Sequence, residues 1–193
     1  MSTNMTNNTV RDYTVMDDEK LLFLIGNSRD RFALTELYTR YKHAVGAFLQ
    51  RSTFQAKLVE EIYNDVMLTV WQKASGFRGE SKVSTWIFAI AYRQRLTHVR
   101  KESRHTQMHT DNLPNEVPDD SKESLNETIR AAISELSDQH RTVIDLAYFH
   151  GYSISEIAAI VDRPQNTVKT RLFYARQNLK ATIEADQLSL ESD

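Results

Sequence analysis

Side chains able to recognise DNA cluster near the C-terminal end of the chain. They share one side of a predicted helix: Asn166, Lys169, Thr170, Phe173 and Arg176. Lysine and arginine can hydrogen-bond to guanine edges, asparagine to adenine, and threonine or phenylalanine can contact the thymine methyl group. The chemistry that these residue types predict is sequence recognition of duplex DNA.

Two helices joined by a tight turn would position these residues. Ser153 followed by Glu156 is a capping box that opens a helix ending near Val161. Pro164 suits the first turn of the next helix, whose predicted buried stripe is Val168, Leu172, Ala175, Leu179 and Ile183. This layout is typical of a helix-turn-helix. The alternative is an ordinary helical hairpin with a solvated basic face.

Two supporting helices are predicted upstream, over Ile129 to Leu136 and over Arg141 to Phe149, with Ser137 or Asp138 capping the second. The rest of the chain also favours helices, because only 5 of the 193 residues are glycine and 3 are proline. The predicted fold class is therefore all-α.

A second candidate surface lies on a helix predicted over Val59 to Ala74. Its apolar residues recur at steps of three and four, which marks the buried face. The opposite side carries an acidic stripe with one apolar residue in line: Glu61, Asn64, Asp65 and Leu68. This acidic stripe is either a solvated face or a binding surface for a basic groove on a partner protein.

A third candidate surface combines aromatic and basic residues. A polar loop from Phe77 to Lys82 precedes a helix predicted over Val83 to Lys101, with Ser81 or Ser84 as N-cap. The first half of that helix is apolar nearly all round, so we expect some of its aromatic rings to stay accessible. Rings beside cations suit single-stranded nucleic acid. We expect Phe77 to stack on a base and Trp86 to lie in the core.

Charge divides the chain more clearly than its net value of −2 suggests. Basic residues dominate from Phe77 to His105 and from Val161 to Lys180, and acidic residues dominate from Thr106 to Thr128. The acidic stretch holds Pro114 and Pro118 and has no helical period, which predicts a flexible linker. The expected organisation is a tail (1–16), a helical domain (17–104), a linker (105–124), a helix-turn-helix domain (125–185) and a second tail (186–193).

Three further features of the sequence limit the compartment in which the protein can work. The chain has no cysteine, which excludes disulfides and favours a reducing compartment. The first residues lack the apolar core of a signal peptide, and no apolar run reaches the roughly 20 residues of a membrane helix. We expect a cytoplasmic protein.

The motifs in order resemble the extracytoplasmic-function (ECF), RpoE-like sigma factors of bacterial RNA polymerase. The second region of that family is similar to Glu61 to Val66, Val70-Trp71, Phe77 to Glu80 and Ser84 to Ile87. Its fourth region resembles Glu156 to Ala158, Pro164, Asn166 to Arg171 and Ala175-Arg176. Two motif sets in this order, with a linker between them, are specific to the family.

The resemblance implies a role for each surface. The acidic stripe would bind the β′ clamp helices of core polymerase, and the β flap is a further expected contact. The −10 element would be opened and read by Phe77, Arg78, Lys82, Arg93 and Arg100. The −35 element would be read by Asn166, Thr167, Lys169, Thr170, Arg171, Phe173 and Arg176. The family often has asparagine where this chain has Arg93, which leaves phosphate contact as an alternative to base recognition there.

The resemblance also implies that polymerase supplies the catalysis and that the chain is not an enzyme and needs no cofactor. An anti-sigma factor is a further expected partner, on the strength of an apolar patch at Leu68 and near Phe88. Two other classes remain open from the residues: a helix-turn-helix regulator that acts without polymerase, and a metal-dependent enzyme using His98, His105 and His109.

Overall fold

The computed structural model describes residues 11–52, 56–106, 129 and 131–190. Within these ranges the regular structure is helical throughout, which confirms the all-α prediction. The helices are α1 (Asp18–Ser28), α2 (Arg31–Ser52), α3 (Ala56–Lys73), α4 (Val83–Thr106), α5 (Asp138–Ile144), α6 (Ile154–Val161) and α7 (Gln165–Leu190). A 3-10 turn (Ala74–Gly76) follows α3, a π-helical turn (Asp145–Phe149) continues α5, and residues 131–135 are also helical.

Several helix ends differ from those that the sequence pattern predicts. α4 continues past Lys101 to Thr106, and α7 continues past residue 185 to Leu190. Neither extension contains glycine or proline, so nothing in it interrupts the backbone hydrogen bonds. Most of the predicted linker, from residue 107, lies outside the described residues, as do residues 1–10 and 191–193.

The first half of the fold packs α2, α3 and α4 against one another, and α1 covers one end. Its core is apolar and fully buried at Leu21, Ile25, Phe48, Ile62 and Ile87. This burial places the apolar stripe of α3 inside, as its spacing predicts, and turns Glu61 and its neighbours outward.

Gly26 allows α1 to approach the 3-10 turn closely. A Cβ atom there would lie 2.8 Å from the backbone nitrogen of Ser75 and 2.9 Å from the carbonyl carbon of Ala74. Beyond the end of α1, the Arg29 side chain donates a hydrogen bond to the Trp71 carbonyl at 2.6 Å. These contacts hold α1 beside the loop that follows the turn.

Replacing Gly26 with alanine should therefore destabilise the protein by about 1–3 kcal/mol, because the added methyl group meets backbone atoms that cannot rotate away. Gly46, in the middle of α2, is the matched control. Its Cβ would meet nothing within 4 Å, so Gly46→Ala should stabilise by about 0.5–1 kcal/mol through helix propensity. Urea denaturation followed by circular dichroism measures both. Equal effects of the two substitutions would contradict the close approach.

The second half of the fold gathers α5, α6 and α7 around a smaller core of Leu136, Val143, Leu146, Ile157 and Val168. Ser137 precedes α5 as its N-cap, although its side chain makes no capping hydrogen bond. The predicted buried stripe of α7 is buried at Val168, Leu172 and Ala175, and it is only half-buried farther along the helix at Leu179 and Ile183.

The two halves touch. α4 packs against α6, and the Phe88 ring lies 4.9 Å from the His150 ring and 5.1 Å from the Tyr152 ring, centroid to centroid. Phe88 is 2% exposed and so is not one of the accessible rings expected on α4. Trp86 and Tyr92 are half-buried, so Trp86 lies at the edge of the core and not inside it as predicted. α3 covers one side of α4 and α6 another, so two apolar stripes are buried.

Three ion pairs join the halves at the edges of this aromatic contact. Arg51 Nε lies 2.5 Å from Asp145 Oδ1, and Lys82 Nζ lies 2.9 Å from Glu156 Oε1. Arg95 donates to both carboxylate oxygens of Asp138, at 2.5 and 2.9 Å, and to the Thr142 hydroxyl at 3.3 Å. The contact therefore has an aromatic centre and a charged border.

Burial shifts two titratable groups in this border in opposite directions. It raises the pKa of Asp145 to about 6, against the lowering effect of Arg51 and, more weakly, Arg95. It lowers the pKa of His150 to about 4, and the positive charge of Arg51 adds to the lowering. Between pH 4 and 6 the folded pair and the unfolded pair each hold one proton, on Asp145 when folded and on His150 when unfolded.

This pairing predicts that the two groups together contribute little pH dependence to stability between pH 4 and 6. Asp145→Asn should remove this compensation, because His150 is then the only member of the pair whose proton binding differs between the folded and unfolded states. His150 alone has a depressed pKa, so the stability it contributes is present above about pH 6.5 and is lost as pH falls through about 4. The free energy of unfolding of Asp145→Asn should thus fall more steeply on acidification than that of the wild type.

Urea titrations at a series of pH values measure this difference. The double variant Asp145→Asn/His150→Gln is the control, because it should recover the wild-type slope. Parallel pH profiles for the wild type and Asp145→Asn would contradict the assignment.

Candidate functional site

The predicted helix-turn-helix is present. Ser153 and Glu156 form the capping box of α6: the Glu156 backbone N–H donates to Ser153 Oγ at 3.3 Å, and the Ser153 N–H donates to Glu156 Oε2 at 2.9 Å. Asp162 ends α6 in the left-handed region, with φ of 52°. That residue turns the chain so that α7 starts immediately at Gln165 and crosses α6.

The outward face of α7 carries the residues predicted to contact DNA. Asn166, Lys169, Thr170, Phe173 and Arg176 are all exposed, whereas Thr167 and Arg171 are half-buried. Two of the exposed side chains donate hydrogen bonds to the backbone of α7. The Thr170 hydroxyl donates to the Asn166 carbonyl, and Arg176 Nε donates to the Leu172 carbonyl. The Lys169 ammonium makes no hydrogen bond to the residues that the structure describes, and the Phe173 ring has no hydrogen-bonding group. α7 thus presents cations and a ring together on one accessible side.

Tyr174 is an exposed residue of this surface that the sequence analysis missed. It is 50% exposed and its ring centroid lies 5.4 Å from that of Phe173. The sequence signal for its exposure was its position: Tyr174 lies between Leu172 and Ala175 but outside the apolar stripe of α7 that they belong to. The two adjacent rings widen the contact area beside Lys169.

The acidic stripe on α3 is exposed as predicted at Glu61, Asn64 and Leu68, the last with an exposed fraction of 52%. Asp65 is half-buried because its carboxylate lies 2.9 Å from Nε2 of the buried His98 on α4. The Tyr38 hydroxyl on α2 reaches Asn64 Oδ1 at 3.3 Å. Neighbouring helices therefore hold two members of the stripe in place.

A shallow groove lies beside Leu68, with a volume of about 370 Å³. α2 and α3 form its walls: Arg31, Leu34, Thr35, Met67, Leu68 and Trp71. Leu68, which lines this groove, lies on the same side of α3 as Glu61 and about two helical turns further along. The surface therefore offers both charge and apolar contact area. Tyr38 and the groove residues on α2 carried no sequence signal of their own.

Of the three histidines considered as zinc ligands, the structure describes only the side chain of His98, which lies 2.9 Å from the Asp65 carboxylate. The side chain of His105 and the whole of His109 lie outside the described residues. No group of three or more potential metal ligands occurs among the described residues.

The loop and helix predicted to contact the −10 element present mostly charged groups. Arg78, Lys82, Arg93 and Arg100 are exposed, and Arg93 and Arg100 share one side of α4. Phe77 is half-buried, with its ring 5.5 Å from that of Trp86 in an edge-to-face arrangement. Gly79 bends the loop with φ of +72°. This places cations along one edge of the first half of the fold, beside a partly covered aromatic pair.

Two basic surfaces and one acidic surface on a two-part helical fold define a protein that joins DNA to another protein. Comparison with known families agrees. Residues 37–105 match the model for Sigma-70 region 2, and residues 126–179 match the model for Sigma-70 region 4.

Curated relatives cover most of the chain. It is 33% identical over 165 residues to the ECF RNA polymerase sigma factor RpoE of Cereibacter sphaeroides, covering 83% of this chain and 91% of that protein. It is 27% identical over 160 residues to the sigma factor YlaC of Bacillus subtilis, covering 79% and 92%. The chain belongs to the ECF family of RNA polymerase sigma factors.

Solved structures share the fold. CnrH, in complex with the cytosolic domain of CnrY, superposes with a TM-score of 0.65 at 19% identity, covering 88% of this chain and 98% of that one. The sigma factor RpoE of Bartonella quintana, in complex with the anti-sigma factor NepR, gives 0.64 at 23% identity, covering 74% and 91%. Among the described residues, no helix is both long and apolar enough to cross a membrane.

Proposed function

We propose that this sigma factor divides its work among three surfaces. The acidic stripe on α3 holds core polymerase, the cationic edge of α4 and its preceding loop engages the −10 element, and the outward face of α7 reads the −35 element. In domain terms, residues 17–104 carry the first two tasks and residues 125–185 the third. The observation that carries the proposal is the exposed face of α7, where Lys169, Phe173 and Arg176 project from a helix-turn-helix.

Chemistry supports the −35 assignment. An α-helix fits the major groove, where lysine and arginine can hydrogen-bond to guanine and phenylalanine can contact a thymine methyl group. The flanking capped helix α6 fixes the angle at which α7 is presented. Tyr174 joins this surface as an additional contact.

Charge and apolar area support the polymerase assignment. Glu61 and Asn64 are exposed on the same side of α3 as Leu68, which lines the groove. A basic, partly apolar partner helix would fit this combination. His98 and Tyr38 act here as positioning residues, since each holds one member of the acidic stripe from a neighbouring helix.

The −10 assignment depends on exposed cations rather than on a free aromatic platform. Arg78, Arg93 and Arg100 can neutralise phosphates of the displaced strand. Phe77 can stack on a base only on the side of its ring away from Trp86. Arg93 fits phosphate contact as well as base recognition.

The cellular setting follows from the same function. Polymerase supplies the catalysis, so the chain is a cytoplasmic regulator and not an enzyme. Two relatives of this fold are solved with partner proteins, one of them named as an anti-sigma factor. A similar inhibitor is proposed here, contacting Leu68 and the neighbouring groove.

In vitro transcription tests the proposal directly. Core polymerase plus this protein should start at promoters that share one −35/−10 pair, found by mapping transcription starts after overexpression in cells. Core polymerase alone should not use them. Binding of the free protein to an operator, with no co-elution with core polymerase, would instead favour a regulator that acts alone.

A further inference from the structure

The acidic stripe and the groove follow one another along α3, and the charge of the surface changes sign between them. The stripe begins at Glu61, and Trp71 lies ten residues farther along, at the other end of the groove. The start of α2 lies at the Trp71 end, because Arg29 donates to the Trp71 carbonyl at 2.6 Å just before α2 begins. Arg31, the first residue of α2, lines the groove there. The surface is thus acidic at one end and basic at the other.

The positive charge of Arg31 is available to a partner. Its side chain is exposed, and its guanidinium makes no hydrogen bond or ion pair with the residues that the structure describes. The neighbouring Asp30 carboxylate instead accepts hydrogen bonds from the Tyr13 hydroxyl and the Phe32 backbone N–H, each at 2.9 Å. A guanidinium with unused N–H donors fits a carboxylate, to which it can donate two parallel hydrogen bonds.

Arg31 is also electrostatically unfavourable for its own helix. The N-terminus of an α-helix carries a partial positive charge, so an anion there is stabilising and a cation is not. The first turn of α2 contains no acidic residue, and Arg31 adds a full positive charge to it. A residue that breaks a local rule with no compensating contact inside the fold is typical of a functional site.

Between the two charged ends the surface is apolar. Leu34 on α2 and Leu68 on α3 line opposite walls of the groove. Arg29 holds Trp71 at the end of the groove, with its guanidinium carbon 5.5 Å from the Trp71 ring centroid. A partner helix can therefore bury apolar residues in the middle while its charged residues pair at both ends.

We propose that this surface seats one helix of core polymerase in a single direction, with basic residues of that helix at Glu61 and an acidic residue at Arg31. The inference rests on the proposed function, because it names the chemistry of the partner at the same polymerase-binding surface. A reversed partner helix would bring like charges together at both ends, which disfavours that pairing. The partner's acidic and basic residues should lie about ten residues apart, to match about 15 Å of α3.

Charge reversal at Arg31 tests the proposal. Arg31→Glu should weaken the binding of core polymerase by about 10-fold at low ionic strength, because an attraction becomes a like-charge contact. The loss should shrink as salt is added. The melting temperature should stay the same or rise, since an acidic residue suits the start of a helix. A lower affinity combined with this thermal stability cannot come from a damaged fold.

Lys42→Glu is the matched control. Lys42 is an exposed cation on the same helix and lies outside the groove. Fluorescence anisotropy of labelled protein titrated with core polymerase measures both variants. An Arg31→Glu protein that binds as tightly as the wild type would overturn the proposal, and so would a Lys42→Glu protein that loses as much affinity as Arg31→Glu.

Variants of core polymerase test the direction of the partner helix. Each exposed acidic residue of the β′ clamp helices is changed in turn to lysine. One of these changes should restore the binding of Arg31→Glu without restoring that of Glu61→Lys. Failure of every change to restore Arg31→Glu would overturn the acidic partner, and recovery of both variants by the same change would overturn the single direction.

The results for Glu61 and Arg31 also separate this inference from the proposed function. A loss of affinity in Glu61→Lys with none in Arg31→Glu would overturn the directional seating and leave the polymerase assignment standing. No loss in either variant would count against the polymerase assignment itself. A dimer of the free protein that Arg31→Glu dissociates, measured by sedimentation, would assign the groove to a second copy of the chain and overturn the proposal.

Discussion

Replacing Glu61 with lysine should weaken the binding of core RNA polymerase by about 30-fold or more. Glu61 is exposed in the acidic stripe beside Leu68, where the proposed partner is a basic surface. Charge reversal removes one attraction and creates a like-charge contact, and such contacts cost several kcal/mol at interfaces. The loss should be largest at low ionic strength, because salt screens exposed charges.

Glu60→Lys is the matched control for this experiment. Glu60 is also exposed, makes the same charge change on the same helix and lies outside the acidic stripe. Fluorescence anisotropy of labelled protein titrated with core polymerase measures both variants, and melting temperatures check folding. Similar losses in Glu60→Lys and Glu61→Lys would show that the effect is one of net charge and would remove the stripe from the polymerase interface.

Replacing Lys169 with glutamate should abolish recognition of the −35 element, with a fall in promoter-specific transcription of about 100-fold. Lys169 is exposed on α7 beside Phe173. A base-edge contact is worth about 1–3 kcal/mol, and a carboxylate facing the duplex adds repulsion from the phosphates.

Lys180→Glu is the control, since Lys180 is an exposed cation farther along α7 that pairs with Glu184 at 3.5 Å. Run-off transcription on a promoter with intact and scrambled −35 elements separates the two variants. Lys169→Glu should lose the difference between the templates, and Lys180→Glu should keep it. A Lys169→Glu protein that still distinguishes the templates would contradict the assignment of α7.

Local sequence patterns predicted much of this fold because they act over one or two helical turns. The capping box at Ser153 and Glu156, the stripe on α7 that begins at Val168, and the outward turn of Glu61 all follow from spacing within a single helix. The helix ends at Thr106 and Leu190 were missed because no glycine or proline marks them.

Residues of the candidate site that lie on other helices could not be predicted in the same way. His98 holds Asp65 from α4, and Tyr38 holds Asn64 from α2. Each pair is separated by more than 20 positions in the chain, and spacing within one helix carries no information about contacts between helices. Tyr174 was missed because its position outside the apolar stripe does not distinguish a contact residue from a solvated one.

The amino-acid sequence by itself determined the helical class, the helix-turn-helix, the acidic stripe and the family motifs, since each depends on neighbouring residues. Only the tertiary structure decided which helix packs against each apolar face. The first half of α4 is apolar on two sides, and the sequence predicts burial of only one. Packing of α6 on Phe88, and the pairing of Arg95 with Asp138, bury the second side and bring the two DNA-binding halves together. The contact between the halves combines aromatic and ionic interactions of residues that lie far apart in the chain. A pattern within one helix therefore could not predict it.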